Sequence, residues 1–283
     1  MRRSKILILV ALVAMAVSTQ ITAAEPASLY PRKYGSNKHF LLGVAAGLER
    51  FDSNVKVTDK VTGRSVFIDG ESSLGLPETE FIPILYGAWQ ISKRHGMGFN
   101  YFRINRTSTL NVIDANWEDL NVTGIASFSD KSSFFYINYS YAFQNTENAV
   151  IRGLLGVYAI DLKLDLDAFG DVSIGGEPVT SGEYAENFNQ FVPLPLFGLD
   201  FWFAASDRWW LGGKFAMIGG KIDNVTALVT EASLRARYRF TGHVGLMIGV
   251  NYLSGDVDID KTNTRREITY GFDGAFLGLD FRF

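Results

Sequence analysis

The sequence predicts an all-β fold, a single antiparallel transmembrane β-barrel with ten strands preferred and eight as the alternative. Three observations predict it. The chain ends in GFDGAFLGLDFRF over 271–283, where Phe283, Phe281, Leu279, Leu277 and Ala275 alternate with Arg282, Asp280, Gly278, Phe276 and Gly274. A period of two is the signature of a strand. An apolar face that finishes in two bare phenylalanines suits lipid and an interfacial aromatic belt better than a soluble core. The other two observations are a regular alternation of short and long connections, and a gathering of aromatic residues beside the short ones.

The N-terminus predicts the compartment. Arg2, Arg3 and Lys5 precede an apolar run over 6–17, and Thr22, Ala23 and Ala24 supply small residues before Glu25. That is the charged, apolar and cleavage-site order of a secretory signal peptide, read as residues 1–24. The apolar run is too short for a membrane-spanning helix, which needs roughly 20 residues. Cleavage removes three of the 27 basic residues and none of the 30 acidic ones, so the mature chain is more acidic than the full-length charge of −3. Such a chain carries no basic footprint, and no nucleic-acid partner is expected. It has no cysteine, so backbone pairing and packing must close the fold without disulfides. Past residue 24 no apolar run reaches helical spanning length; the best, 191–205, is broken by Asp200 and two prolines.

Residues 25–38 are polar, with two prolines and a glycine, and read as a periplasmic leader. The barrel is assigned to 39–283. Phe40, Leu42, Val44, Ala46 and Leu48 alternate with Leu41, Gly43, Ala45, Gly47 and Glu49 in the first strand. Strands of the same pattern follow over 81–91, from Met97, and over 135–143. In the strand from Ala149, Ile151, Leu155 and Val157 share a face. Beyond Tyr158 the apolar set moves to Ile160, Leu162, Leu164 and Leu166. That change predicts a bulge, since a one-residue shift flips every side chain. Phe197, Leu199, Phe201 and Phe203 lie before a turn, and Trp209, Leu211, Gly213, Phe215 and Met217 after it. Ala232, Leu234, Ala236, Tyr238 and Phe240 then oppose Glu231, Ser233, Arg235, Arg237 and Arg239. Val244, Leu246, Ile248, Val250 and Tyr252 form the strand before the closing one.

Four connections are short: 93–96, 144–148, 205–208 and 241–243. Five are long and polar: about 53–78, 105–130, 165–188, 221–228 and 254–267. Periplasmic turns alternating with longer extracellular loops is the outer-membrane pattern, and nine connections join ten strands. Trp89, Tyr141, Phe143, Phe201, Phe203, Trp209, Tyr238, Phe240, Phe281 and Phe283 all fall near a short turn or the C-terminus. They predict one aromatic girdle at the periplasmic rim.

With these features the chain resembles the small outer-membrane β-barrel proteins of Gram-negative bacteria, of the outer-membrane protein A and outer-membrane protein W type. The resemblance is one of architecture and covers the signal peptide and nearly all of the mature chain. Its sharpest match is the C-terminal targeting signal, carried here by Gly278, Phe281 and Phe283; the polar residue of that pattern two before the glycine is Phe276 here. The resemblance implies residence in the bacterial outer membrane, contact with its lipid and lipopolysaccharide, and recognition by the barrel-assembly machinery. It implies no activity, because one barrel size hosts several functions. The stretch over 67–76, FIDGESSLGL, also resembles a pattern in poorly characterised barrels and brings no function with it.

Three constellations could carry chemistry. Glu49, Asp200, Glu231, Arg235, Arg237, Arg239, Asp280 and Arg282 share the inward face in these registers. An Arg row there reads either as an anion-selective constriction or as a neutralised plug. In so narrow a barrel the plug is the preferred reading. Asp161, Asp165, Asp167 and Asp171, and Asp256, Asp258 and Asp260, could hold a divalent cation. They match no EF-hand pattern, so a solvated loop base is preferred and no metal or cofactor is expected. The three histidines, His39, His95 and His243, map to the periplasmic rim. A histidine-based catalytic group facing the exterior is therefore disfavoured. The sequence favours a non-enzymatic barrel for envelope integrity or surface interaction. The alternative is a narrow channel for small solutes, anionic ones included. An outer-leaflet lipid-modifying enzyme is disfavoured.

Overall fold

The computed structural model describes residues 39–117, 120–174, 177–222 and 224–283; the signal-peptide and leader assignments lie outside them. Among these residues are thirteen strands: β1 (Phe40–Asp59), β2 (Ser65–Asp69), β3 (Thr79–Gln90), β4 (His95–Arg103), β5 (Arg106–Trp117), β6 (Leu120–Asp130), β7 (Ser133–Asn145), β8 (Ala149–Ile174), β9 (Glu177–Ala204), β10 (Trp209–Ile222), β11 (Val225–Arg239), β12 (Val244–Asp260) and β13 (Thr264–Arg282).

Ten of them form a closed antiparallel ring in the order β1, β3, β4, β7, β8, β9, β10, β11, β12, β13. The ring closes where β13 pairs with β1, from Leu41 opposite Arg282 to Asp59 opposite Thr264. β2 folds back on the upper part of β1, and the β5–β6 hairpin lies beside upper β8. Four short turns join β3 to β4, β7 to β8, β9 to β10 and β11 to β12, at the places the sequence marks.

The outward face explains why these strands form. Val44, Leu155, Ile248 and Leu277 are each about half exposed, and similar outward apolar residues line most strands of the ring, those of β11 being partly covered. Such a continuous apolar band is stable only against lipid, and closing the ladder leaves no backbone group unpaired inside it. Trp89, Phe143, Trp209, Phe240 and Phe283 face outward beside the short turns. Trp209 meets Tyr238 at 4.9 Å, and Tyr238 meets Phe240 at 5.2 Å. The upper edge of the band is marked by the exposed Arg50–Asp273 pair at 2.9 Å.

Two expectations are corrected above that edge. The long polar segments are mostly strand rather than loop: β1 continues to Asp59, β12 to Asp260, and β8 and β9 run for 26 and 28 residues. Their outward residues turn polar once lipid ends, while Val257, Ile259, Ile268 and Tyr270 keep the inward face apolar and buried. The bulge expected near Tyr158 is absent. β8 and β9 keep one register from Ala149 opposite Phe203 to Val172 opposite Thr180. Ile160, Leu162 and Leu164 continue the inward face of Tyr158. What changes there is the surroundings: outside goes from lipid to water, and inside goes from polar to apolar. The β7–β8 ladder does shift register, between Ala142 and Gln144 beside the short turn.

The band sets a depth-dependent expectation. Leu155→Arg, placed within it, should cost about 2–4 kcal/mol, and Phe169→Arg, outward on the same strand beyond the edge, about 0–1 kcal/mol. Equilibrium urea unfolding from lipid vesicles measures both.

Candidate functional site

The lumen has three layers. The lowest, toward the short turns, holds the charged residues marked by the sequence. Glu49, Asp200, Arg237, Arg239, Asp280 and Arg282 are all buried, and Glu231 and Arg235 are partly so. Arg237 Nε lies 2.8 Å from Asp280 Oδ2, and Arg282 Nε 3.6 Å from Oδ1. Arg235 donates to one Asp200 oxygen, and Arg152 donates to the other at 3.1 Å. Lys214 Nζ donates to both Glu231 oxygens at 2.9 Å and sits 3.8 Å from the Tyr136 ring. Asn251 donates to Glu49 at 3.1 Å. Arg235 and Arg237 lie over Trp202, and Arg239 over Trp210. Such stacking supplements ion pairs where water is scarce.

Two glycines make room for this layer. A Cβ at Gly43 would fall 2.1 Å from the Tyr86 ring, and one at Gly274 would fall 2.4 Å from Glu49 Oε2. Above the charges lies a cavity of about 200 Å³, whose lining includes Glu49, Lys214, Arg235 and Arg237.

The sequence reading missed Arg152 and Lys214. Both were legible, since each stands opposite the apolar set of its own strand: Arg152 beside Ile151, and Lys214 between Gly213 and Phe215.

The middle layer is apolar. Ile82, Phe102, Phe134, Tyr158, Leu196, Ile218, Leu253 and Phe272 belong to one buried cluster inside the ring, at and above the outer edge of the lipid band. Phe102 stacks on Phe134 at 4.8 Å and meets Phe272 edge-on at 5.7 Å.

The upper layer is a second polar network that the sequence reading did not assemble. Arg106 is fully buried. It donates to Glu71 at 2.5 Å, to Asp130 at 3.0 Å and to Ser53 at 3.2 Å, and lies 4.1 Å over the Phe51 ring. Tyr270 donates its hydroxyl to Asp130 at 2.9 Å, and Ser132 donates its own at 2.7 Å. Burial first, and then the Asp130 carboxylate, push the Tyr270 hydroxyl well above its ordinary range, and the Arg106 guanidinium works against them. These residues are spread along the chain from Phe51 to Tyr270, and no local motif joins them.

That network explains the stretch over 67–76. Asp69 accepts the Ser72 N–H at 2.6 Å and turns the chain. Gly75 has φ of +65°, a left-handed conformation that favours glycine. Leu74 and Leu76 are buried, and Glu71 reaches Arg106 and the Ser53 N–H. The stretch is a strap across the mouth, tied at both an ionic and an apolar point.

The remaining candidates are dispersed. Asp258 pairs with Arg265, Asp260 with Lys60 and Asp161 with Lys163; Asp256 accepts from Thr269. Among the described residues no three metal-ligating side chains converge. His95 bonds the Tyr139 hydroxyl in the rim, and His39 and His243 flank other rim positions. Gly278, Phe281 and Phe283 lie in β13 and just past it. Phe281 and Phe283 face outward, and the Phe283 main chain exchanges hydrogen bonds with Phe40.

Removing Arg106 would strand two buried carboxylates, and leaving a buried charge uncompensated costs about 3–5 kcal/mol. Arg106→Ala should lose that much in urea unfolding. The Lys60 hydrogen bond is the largest cause that lowers the Asp260 pKa, and the Val61 N–H is the largest for Asp59. Both carboxyls should titrate below 3.8 by NMR. Because these pKa values are depressed, what the two contacts contribute is present above the ordinary carboxyl pKa and is lost as pH falls through the lowered one.

No protein-family model matches the chain, and no curated protein matches it. Solved structures do. The outer-membrane protease OmpT of Escherichia coli shares 14% identity and a TM-score of 0.56, over 94% of this chain and 100% of that one. The attachment invasion locus protein Ail of Yersinia pestis matches at 9% identity and TM-score 0.31, over 87% of this chain and 99% of that one. Neisserial surface protein A matches at 14% and 0.28, over 86% and 97%. The first likeness agrees with the fold, a closed ten-stranded barrel. Together with the lipid-facing band, the fold makes this chain a β-barrel of the bacterial outer membrane.

Proposed function

We propose that the chain is a sealed, non-enzymatic barrel that serves as a membrane-anchored platform for envelope integrity or surface interaction. The observation that carries this reading is the buried apolar cluster inside the ring, where Phe102 stacks on Phe134 and meets Phe272 edge-on. Ions do not cross a packed apolar layer without a wetted path. The strands that continue beyond the lipid band, most of all β8 and β9, supply a rigid surface outside the membrane. The positions of the three histidines at the opposite rim also favour a non-enzymatic role. The refolded protein should give no steady conductance in planar bilayers. Anion-selective steps that shrink in Arg237→Ala would establish the narrow-channel alternative instead. Hydrolysis of lipopolysaccharide or phospholipid by the purified protein would overturn both.

The C-terminal residues Gly278, Phe281 and Phe283 fit the assembly signal implied by the family resemblance, with the barrel-assembly machinery as partner. Phe283→Ala should lower the amount reaching the outer membrane in cells, while the purified variant refolds and still shows heat-modifiable migration. Equal amounts in the membrane would remove that role.

A further inference from the structure

Between the strap and the barrel wall lies a second cavity, of about 120 Å³, outside the lipid band. Val55, Val57, Leu74, Phe128, Leu164 and Ile268 line it. The polar residues of its lining are Ser53, Asn54, Arg106, Asp130, Arg266 and Tyr270. Ser53, Arg106, Asp130 and Tyr270 spend their polar groups on one another and on Glu71. What they present to the space is mainly carbon. Such a space holds water weakly, because a water needs two or more polar partners and the exposed lining is mainly apolar. An apolar cavity of about 150 Å³ is enough for benzene.

We propose that this cavity is a binding site for a small apolar molecule, of the size of a single aromatic ring or smaller, with the strap over 67–76 as its cover. The strap supplies Gly70 and Leu74 to the lining. It is held shut by Glu71 on Arg106 and by Leu76, which is buried. Its two turns, at Asp69 and at Gly75, are where it can pivot. The charged latch therefore sits beside an apolar chamber, and opening it exposes that chamber to the exterior. The proposal does not depend on whether the lower lumen conducts.

Xenon and benzene are the probes, applied to the refolded full-length barrel. A xenon-pressurised crystal should show one anomalous peak between Val57, Leu74 and Ile268. Benzene should shift the amide and methyl resonances of the same residues saturably in solution. Val57→Phe fills the space and should abolish both signals while heat-modifiable migration stays normal. Glu71→Gln loosens the latch and should speed benzene exchange at least several-fold without moving the peak. No xenon density there, or benzene shifts that survive in Val57→Phe as simple partition into detergent, would overturn the proposal. Should Val57→Phe fail to refold, the wild-type xenon map alone decides it.

Discussion

Every other feature depends on the closed hydrogen-bond ladder. A strand in lipid has no water to satisfy its N–H and C=O groups, so a sheet can cross a bilayer only when its first and last strands pair. Here that seam is β1 with β13, and it extends to the final residue, where Phe40 and Phe283 exchange main-chain hydrogen bonds. The outward alternation of apolar residues follows from the ring. So does the interior, since a ring of this size must either fill its lumen with side chains or leave a narrow water path.

The filling is layered because the two ends of the lumen answer different demands. Within the lipid band the wall already supplies the hydrophobic contact outward, so the inward positions are free to be polar, provided their charges are paired. Arg152 and Arg235 on Asp200, Lys214 on Glu231 and Arg237 on Asp280 meet that condition. Beyond the band the wall faces water, and the strands hold together there only by burying apolar side chains inward, as an ordinary soluble domain does. Phe102, Leu253 and Phe272 begin that inversion, and it is the same inversion that resembles a bulge when β8 is read alone.

The upper polar network fits the same logic at greater cost. Arg106 is buried among apolar residues, where an isolated charge would be intolerable. Glu71 and Asp130 compensate it, and Phe51 stacks on it. A buried network of this kind adds little net stability over apolar packing but specifies one arrangement, because a partly made version is worse than none. What it specifies is the position of the strap. The strap in turn lays Gly70 and Leu74 along one side of the small apolar cavity.

Much of this was legible along the chain. The period-two alternation gave the strands, the short turns and the outward belt, because in a strand the side-chain direction follows from position alone. The inward rows of Glu231, Arg235, Arg237 and Arg239 and of Asp280 and Arg282 were legible for the same reason. Arg152 and Lys214 obey that rule too and were overlooked rather than hidden. Partnership was not legible. Nothing local says that Arg152 shares Asp200 with Arg235, or that Glu71, Arg106, Asp130 and Tyr270 meet. Those contacts depend on which strands are neighbours around the ring and at what register. The sequence by itself determined a membrane barrel and which residues face its lumen; only the tertiary structure decided which apolar side chains pack together inside the ring and how the strap is tied to Arg106 and Ser53. Facing direction is a property of one strand, whereas filling a lumen is a property of ten strands closed on one another.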